Sequence, residues 1–118
     1  YSLHSRALPG KPDLVFRRYR AVVFVHGCFW HGHDCHLFRW PKSNRVFWRN
    51  KIHRNRAVDA RTLKELRARG WRTMTVWECA VRGVPEQRLD GVADRLKRWI
   101  QGQQLSGVIS GERQRTHR

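Results

Sequence analysis

The chain has 118 residues, with 25 Lys and Arg against 9 Asp and Glu and a net charge of +16. That length holds one compact domain and hardly two, and no apolar run approaches the roughly 20 residues that span a membrane. Charge of one sign on this scale opposes a compact fold unless a polyanion offsets it, and with six Trp beside it the balance favours nucleic acid over an anionic membrane.

In chain order, residues 1–12 read as a lead-in that closes on the turn signal Pro9-Gly10-Lys11-Pro12. Tyr1 stands where a complete chain has Met, so further residues are expected upstream; no signal peptide opens the sequence. Leu14-Val15-Phe16 predicts a short strand, and Arg17 to Arg20 a polar turn. Ala21 to Val25 is apolar and β-rich, which predicts a strand buried on both faces and, with the first, a hairpin.

Residues 26–44 have neither helical nor strand period. The run His26-Gly27-Cys28-Phe29-Trp30-His31-Gly32-His33-Asp34-Cys35-His36 crowds His, Cys and aromatic side chains into a loop, and a loop this long in a small domain is usually functional. Ser43-Asn44 offers an N-cap to a helix over about Arg45 to Arg69, stopped by Gly70, with Val46, Ala57, Ala60, Leu63 and Leu66 as its apolar stripe. Trp71 to Glu78 predicts a third strand. Leu89, Val92, Leu96 and Ile100 predict a second helix over 87–101. Residues 103–118 are basic and lack an apolar stripe, so a mobile tail is expected there, after one domain over 1–102.

The three Cys are an odd number, so disulfides do not use them all. Cys28, His33 and Cys35 place three soft donors within one short loop, and Cys79 completes a Cys3His set, the donor set of a closed tetrahedral zinc site. Spacing alone leaves His31, Asp34 and His36 as alternative ligands. Metal-bound thiols imply a reducing compartment, hence the cytoplasm. Asp13 follows Pro12 at the start of a strand. A Pro-Asp step before a second apolar strand resembles the metal-binding core of restriction-type nucleases, where a carboxylate and a strand backbone hold magnesium beside the scissile phosphate. Alone, the pair better suits a turn residue that accepts a backbone hydrogen bond.

Taken together, Pro9-Gly10-Lys11-Pro12-Asp13, Val25-His26-Gly27-Cys28-Phe29-Trp30-His31 and Trp77-Glu78-Cys79 resemble the very short patch repair endonucleases. These bacterial enzymes nick DNA beside the T:G mismatch left by deamination of 5-methylcytosine. The match runs from about Leu8 to Gly102, and the His-Gly-Cys-Phe-Trp-His run is highly specific. The resemblance implies an α/β fold of the restriction-endonuclease type, a mixed β-sheet flanked by helices with a structural zinc site. It implies a monomer near the bacterial nucleoid, acting on double-stranded DNA with a T:G mismatch and using magnesium.

Carried over by position, Asp13 would be the magnesium ligand and the carbonyl of Val25 the backbone ligand, although the family usually has Thr there. His31 would be the general base, His26 would touch the metal water or the phosphate, and Asp59 would support one of these histidines. Cys28, His33, Cys35 and Cys79 would hold zinc. Phe29 and Trp30, adjacent in a loop where burying both is awkward, would join Trp48 as an intercalating wedge. Trp48, Lys51, Asn55 and Asp59 follow steps of three and four, so they share one helix face on which Lys51 and Asn55 would read base edges. The family carries an N-terminal helix with an acidic residue ahead of the Pro-Asp strand. Asp13 is the first acid here, so that helix is expected to be missing from this sequence. Two other readings use the same residues: a homing or restriction endonuclease with this core, marked by cleavage of fully paired DNA, and a zinc-stabilised DNA-binding module, marked by no cleavage.

Overall fold

The computed structural model describes residues 1–111. Five strands form one sheet in the order β1-β2-β3-β4-β5: Ser2–Leu3, Leu14–Phe16, Ala21–His26, Arg72–Trp77 and Ser106–Ile109. β1, β2 and β3 are antiparallel neighbours, while β3, β4 and β5 run parallel. Parallel neighbours need crossovers. The helix α1, Arg45–Ala68, joins β3 to β4, and α2, Glu86–Gln101, joins β4 to β5.

The alternation along β3 divides the core in two. Val22 and Phe24 pack with Val15, Leu66 and Trp71 on the α1 side. Ala21 and Val23 pack with Met74, Val76, Trp99, Ile100 and Ile109 on the α2 side. The hairpin forms as predicted, with Leu14 opposite Val23. Its turn is a 3-10 turn over Arg17–Tyr19, closed by Arg20 in the left-handed conformation. β4 lies between two strands and under both helices, so its first five residues are buried. They include Arg72, whose guanidinium donates to the carbonyls of Ile100 at 3.0 Å and Gln104 at 3.1 Å, and also to that of Trp99. A buried cation is tolerated there because it meets the free carbonyls at the end of α2.

Several expectations change. Val25 is 48% exposed rather than buried on both faces, because the end of β3 runs past the core toward the loop. Val46, Ala57 and Ala60 are exposed. The packed stripe of α1 is instead Trp48, Ile52, Asn55, Asp59, Leu63 and Leu66, which is partly polar. Asn44 is the N-cap residue, but its side chain makes no cap hydrogen bond. The tail expected from 103 begins as strand: Thr75 pairs with Val108 and Val76 with Ile109. The part of that tail over 112–118 lies outside the described residues. Among the described residues, no helix is long and apolar enough to cross a membrane.

Candidate metal centres and nucleic-acid interface

β3 ends at His26, and the chain then turns tightly, with the His31 amide donating to the Gly27 carbonyl and the His33 amide to that of Cys28. Gly32 sits at φ +62, and a Cβ there would fall 2.7 Å from Ile52. The loop therefore presses its backbone onto α1, and a glycine is needed at the contact.

This turn delivers Cys28, His33 and Cys35 to one point, and the end of β4 delivers Cys79. Their donor atoms all lie within 4.8 Å of one another. His33 Nδ1 is 3.5 Å from Cys28 Sγ and 3.6 Å from Cys79 Sγ. Cys28 and Cys79 are buried, and burial pushes both thiols above their ordinary range. Backbone amides point at the sulphurs: Leu37 at Cys35, 3.4 Å, and Gly111 at Cys79, 3.2 Å. A Cβ at Gly111 would fall 2.2 Å from the Cys79 carbonyl oxygen, so the segment after β5 seals this cluster. The alternatives His31 and Asp34 are not in the quartet, nor is His36.

A second cluster faces a cleft of about 240 Å³ on the α1 side, lined by Lys11, Asp13, Phe24, His26, His31 and Asp59 among others. Asp13 Oδ2 accepts the Val25 N–H at 2.6 Å, and Oδ1 is 3.5 Å from His4 Nδ1. The His26 and His31 rings stack face to face, 3.9 Å between centroids and 4° from parallel. Nδ1 of His31 is hydrogen-bonded to the Asp59 carboxylate. Burial, then the charge of His31, lower the His26 pKa below its ordinary value, against opposing pulls from Asp59 and Asp13. Two stacked imidazoles disfavour being cations together, which with burial favours the neutral form of His26. An Nδ1–H committed to Asp59 leaves Nε2 of His31 as the acceptor.

The third feature is aromatic. Phe29 meets Trp30 at 5.3 Å and Trp48 at 5.3 Å, and Trp30 meets Trp48 at 5.6 Å. Trp30 is 51% exposed, whereas Phe29 and Trp48 are half-buried. Lys51 and Asn55 lie on the same packed face of α1 as Asp59. Asn55 Nδ2 donates to the Trp30 carbonyl at 2.7 Å, so its amide also braces the loop.

Two further residues matter here. Trp77 pairs with His26 across the sheet, meets its ring edge-on at 5.3 Å, and lies flat on His33 at 4.1 Å and 7°. It is the wall between the two clusters. Glu78 accepts the Cys28 N–H at 3.2 Å. In the sequence, Trp77 and Glu78 stand out only as the end of the third predicted strand and as part of the matching run; Trp77 ends β4 and Glu78 opens the 3-10 turn Glu78–Ala80 that follows it.

The family described as DNA mismatch endonuclease Vsr matches residues 1–37. The chain is 42% identical over 109 residues to the DNA mismatch endonuclease Vsr of Escherichia coli K12, covering 92% of this chain and 70% of that protein. It is 48% identical over 96 residues to the type II nicking enzyme V.XorIIP of Xanthomonas oryzae pv. oryzae, covering 80% and 71%. With V.NmeAIP, a type II nicking enzyme of Neisseria meningitidis serogroup A, it shares 38% identity over 99 residues, covering 82% and 71%. With the relatives in agreement over most of its length, the chain belongs to the Vsr DNA mismatch endonuclease family.

Proposed function

We propose that this chain nicks double-stranded DNA beside T:G mismatches, as a step of very short patch repair, by magnesium-assisted hydrolysis of a phosphodiester. The observation that carries the reading is one cleft holding Asp13 next to the β3 backbone and opposite a stacked His26–His31 pair buttressed by Asp59. The same placement of a carboxylate on a strand hairpin is our reason for classing the mixed sheet as restriction-endonuclease-like. One chain supplies every group, so the reading needs no second copy; it acts as a monomer on bacterial DNA in the cytoplasm.

Magnesium prefers oxygen donors and keeps several waters. Asp13 fits, being a carboxylate that is part open to the cleft. The carbonyl of Val25 also fits, because a strand residue's N–H and C=O face the same edge and the Val25 N–H faces Asp13. When bound, the ion would neutralise charge on the phosphate. Nε2 of His31 takes a proton from a water while the water oxygen bonds to phosphorus, the bond from phosphorus to the leaving sugar oxygen breaks, and that oxygen takes a proton from a second water of the open cleft. The imidazolium so formed is stabilised by Asp59, and His26 donates a hydrogen bond to the phosphate side. Phe29, Trp30 and Trp48 enter the mismatched step, which unstacks at lower cost than a paired one. Lys51 and Asn55 reach base edges from α1.

The Cys3His quartet suits zinc. Bonds of about 2.3 Å to sulphur and about 2.0 Å to nitrogen at a tetrahedral angle set the S···N edge at about 3.5 Å, and the two edges here are 3.5 and 3.6 Å. Zinc there would be structural, taking thiolates that burial alone disfavours. The test of the function is to incubate the chain and magnesium with a T:G duplex and its T:A counterpart in parallel. A nick in the T:G duplex alone is expected. Cleavage of both duplexes supports a restriction-type enzyme, and cleavage of neither supports a binding module.

A further inference from the structure

The wedge residues are only the middle of a longer aromatic ladder. Trp40 packs edge-on against Phe38 at 5.0 Å, and Phe38 stacks on Phe29 at 6.0 Å. Phe29 leads to Trp48, and Trp48 to Phe47 at 5.1 Å. Both end rings are open, as Trp30 is: Trp40 is 48% and Phe47 56% exposed. Neither belongs to the two core clusters, and exposed aromatics of this size around one loop mark a contact surface.

Two facts identify what covers them. First, residues 35–58, the stretch that carries the ladder beyond Trp30, hold Lys or Arg at seven positions and no Asp or Glu. Arg39, Lys42, Arg45 and Arg49 are all exposed around the end rings. A surface that interleaves cations and aromatic rings fits a polyanion that also offers flat faces, which is nucleic acid. Second, Trp40 and Phe47 are each separated from Phe29 by one intervening ring, Phe38 and Trp48, so they stand outside the Phe29–Trp30–Trp48 group proposed to enter the mismatch.

We propose that Trp40 and Phe47 contact the nucleotides that flank the opened step, so that they grip paired DNA on its two sides and set how strongly the flanking bases matter. This rests on the nicking reading above. It assigns to the outer rings a task different from that of the wedge: they meet stacked bases, and their contribution does not depend on the mismatch itself.

A double-mutant cycle between protein and DNA tests it. Trp40→Ala, Phe47→Ala and the conservative Trp40→Phe are each bound to a T:G duplex at one fixed salt concentration. The same duplex is then used with abasic sites a few pairs from the mismatch, so that the phosphates stay and the flanking bases go. Each alanine variant should bind the intact duplex about tenfold more weakly, Trp40→Phe should restore most of that, and on the abasic duplex the difference from wild type should vanish. An equal loss on both duplexes, or none on either, overturns the proposal: the rings then pack the loop, touch backbone alone or serve another partner. Thermal melting of Trp40→Phe beside Trp40→Ala separates a folding defect from a lost contact. If wild type shows no preference for T:G over T:A, the nicking reading fails, while the cycle still reports on the outer rings with any duplex the chain binds.

Discussion

Two of the four soft donors, Cys28 and Cys79, are sealed at 0% and 2% exposed, with His33 and Cys35 half-buried beside them, while Asp13, His26, His31 and Asp59 are all only half-buried and line a cleft. Both clusters hang on the end of β3 and the same loop, with one tryptophan between them. Their difference is one of donor chemistry and water access. Soft donors shut off from water hold an ion that never leaves its ligands, which suits stability. Oxygen and imidazole groups open to water suit an ion and a solvent molecule that come and go. Under the proposed reading, a loop with no apolar core of its own is held rigid by one end so that the other can align reactive groups. Only the first job belongs to folding.

The sharpest way to break this comparison is at Asp13. Asp13→Asn should lower nicking about a thousandfold or more, because several kcal/mol of charge stabilisation go with the metal. Duplex affinity at fixed salt should stay within about twofold, since the phosphate contacts remain. A variant that cuts near the wild-type rate makes Asp13 a turn residue. Cys35→Ala should act oppositely. Losing a ligand of a structural ion costs several kcal/mol, so the melting temperature should fall on the order of 20 °C, with binding and nicking falling together. A stable Cys35→Ala chain without metal contradicts the structural role.

Smaller effects sharpen the same contrast. Trp30→Ala should weaken T:G binding on the order of tenfold and T:A binding much less, as stacking is worth about 1–3 kcal/mol per base and only the mismatch makes opening cheap. Equal losses in titrations of the two duplexes would show that Trp30 packs the loop. Trp77→Leu should blur the two ends. Each aromatic contact is worth about 0.5–1.5 kcal/mol, and Trp77 contacts both His33 and His26. A few degrees of melting temperature and several-fold in nicking rate should be lost together. Loss of one without the other would show that the ring serves a single cluster.

Much of this was legible in the sequence. The three Cys mark a soft-donor site in the sequence, but spacing leaves His31, Asp34 and His36 beside His33 as the fourth donor, and only the turn after β3 brings His33 to the thiols. The hairpin and both helices followed from apolar runs and stop signals such as Gly70. What was hidden depends on distant partners. Ser106–Ile109 is short, contains a glycine and looks like tail; it is a strand because it completes the hydrogen bonding of the outer edge of β4, and glycine suits position 107 because a Cβ there would lie 2.7 and 3.0 Å from Met74 and Trp99. The stripe of α1 was misread because its packed face carries Asn55 and Asp59. Those residues are turned inward by the loop and cleft, and hydrophobic periodicity does not register them. Val25 looked like core because composition does not say where a strand leaves the sheet.

The most direct test of the two-cluster account is to remove the labile metal while leaving the tight one. The chain is treated with EDTA briefly enough to strip weakly held ions, then followed by metal analysis, far-ultraviolet circular dichroism and T:G nicking. Nicking should stop while zinc stays at about one per chain, as expected for a four-ligand structural site, and the spectrum should not change. Magnesium alone should then restore nicking. Nicking that persists without magnesium, or zinc that departs in step with activity, would contradict the division of labour between the clusters.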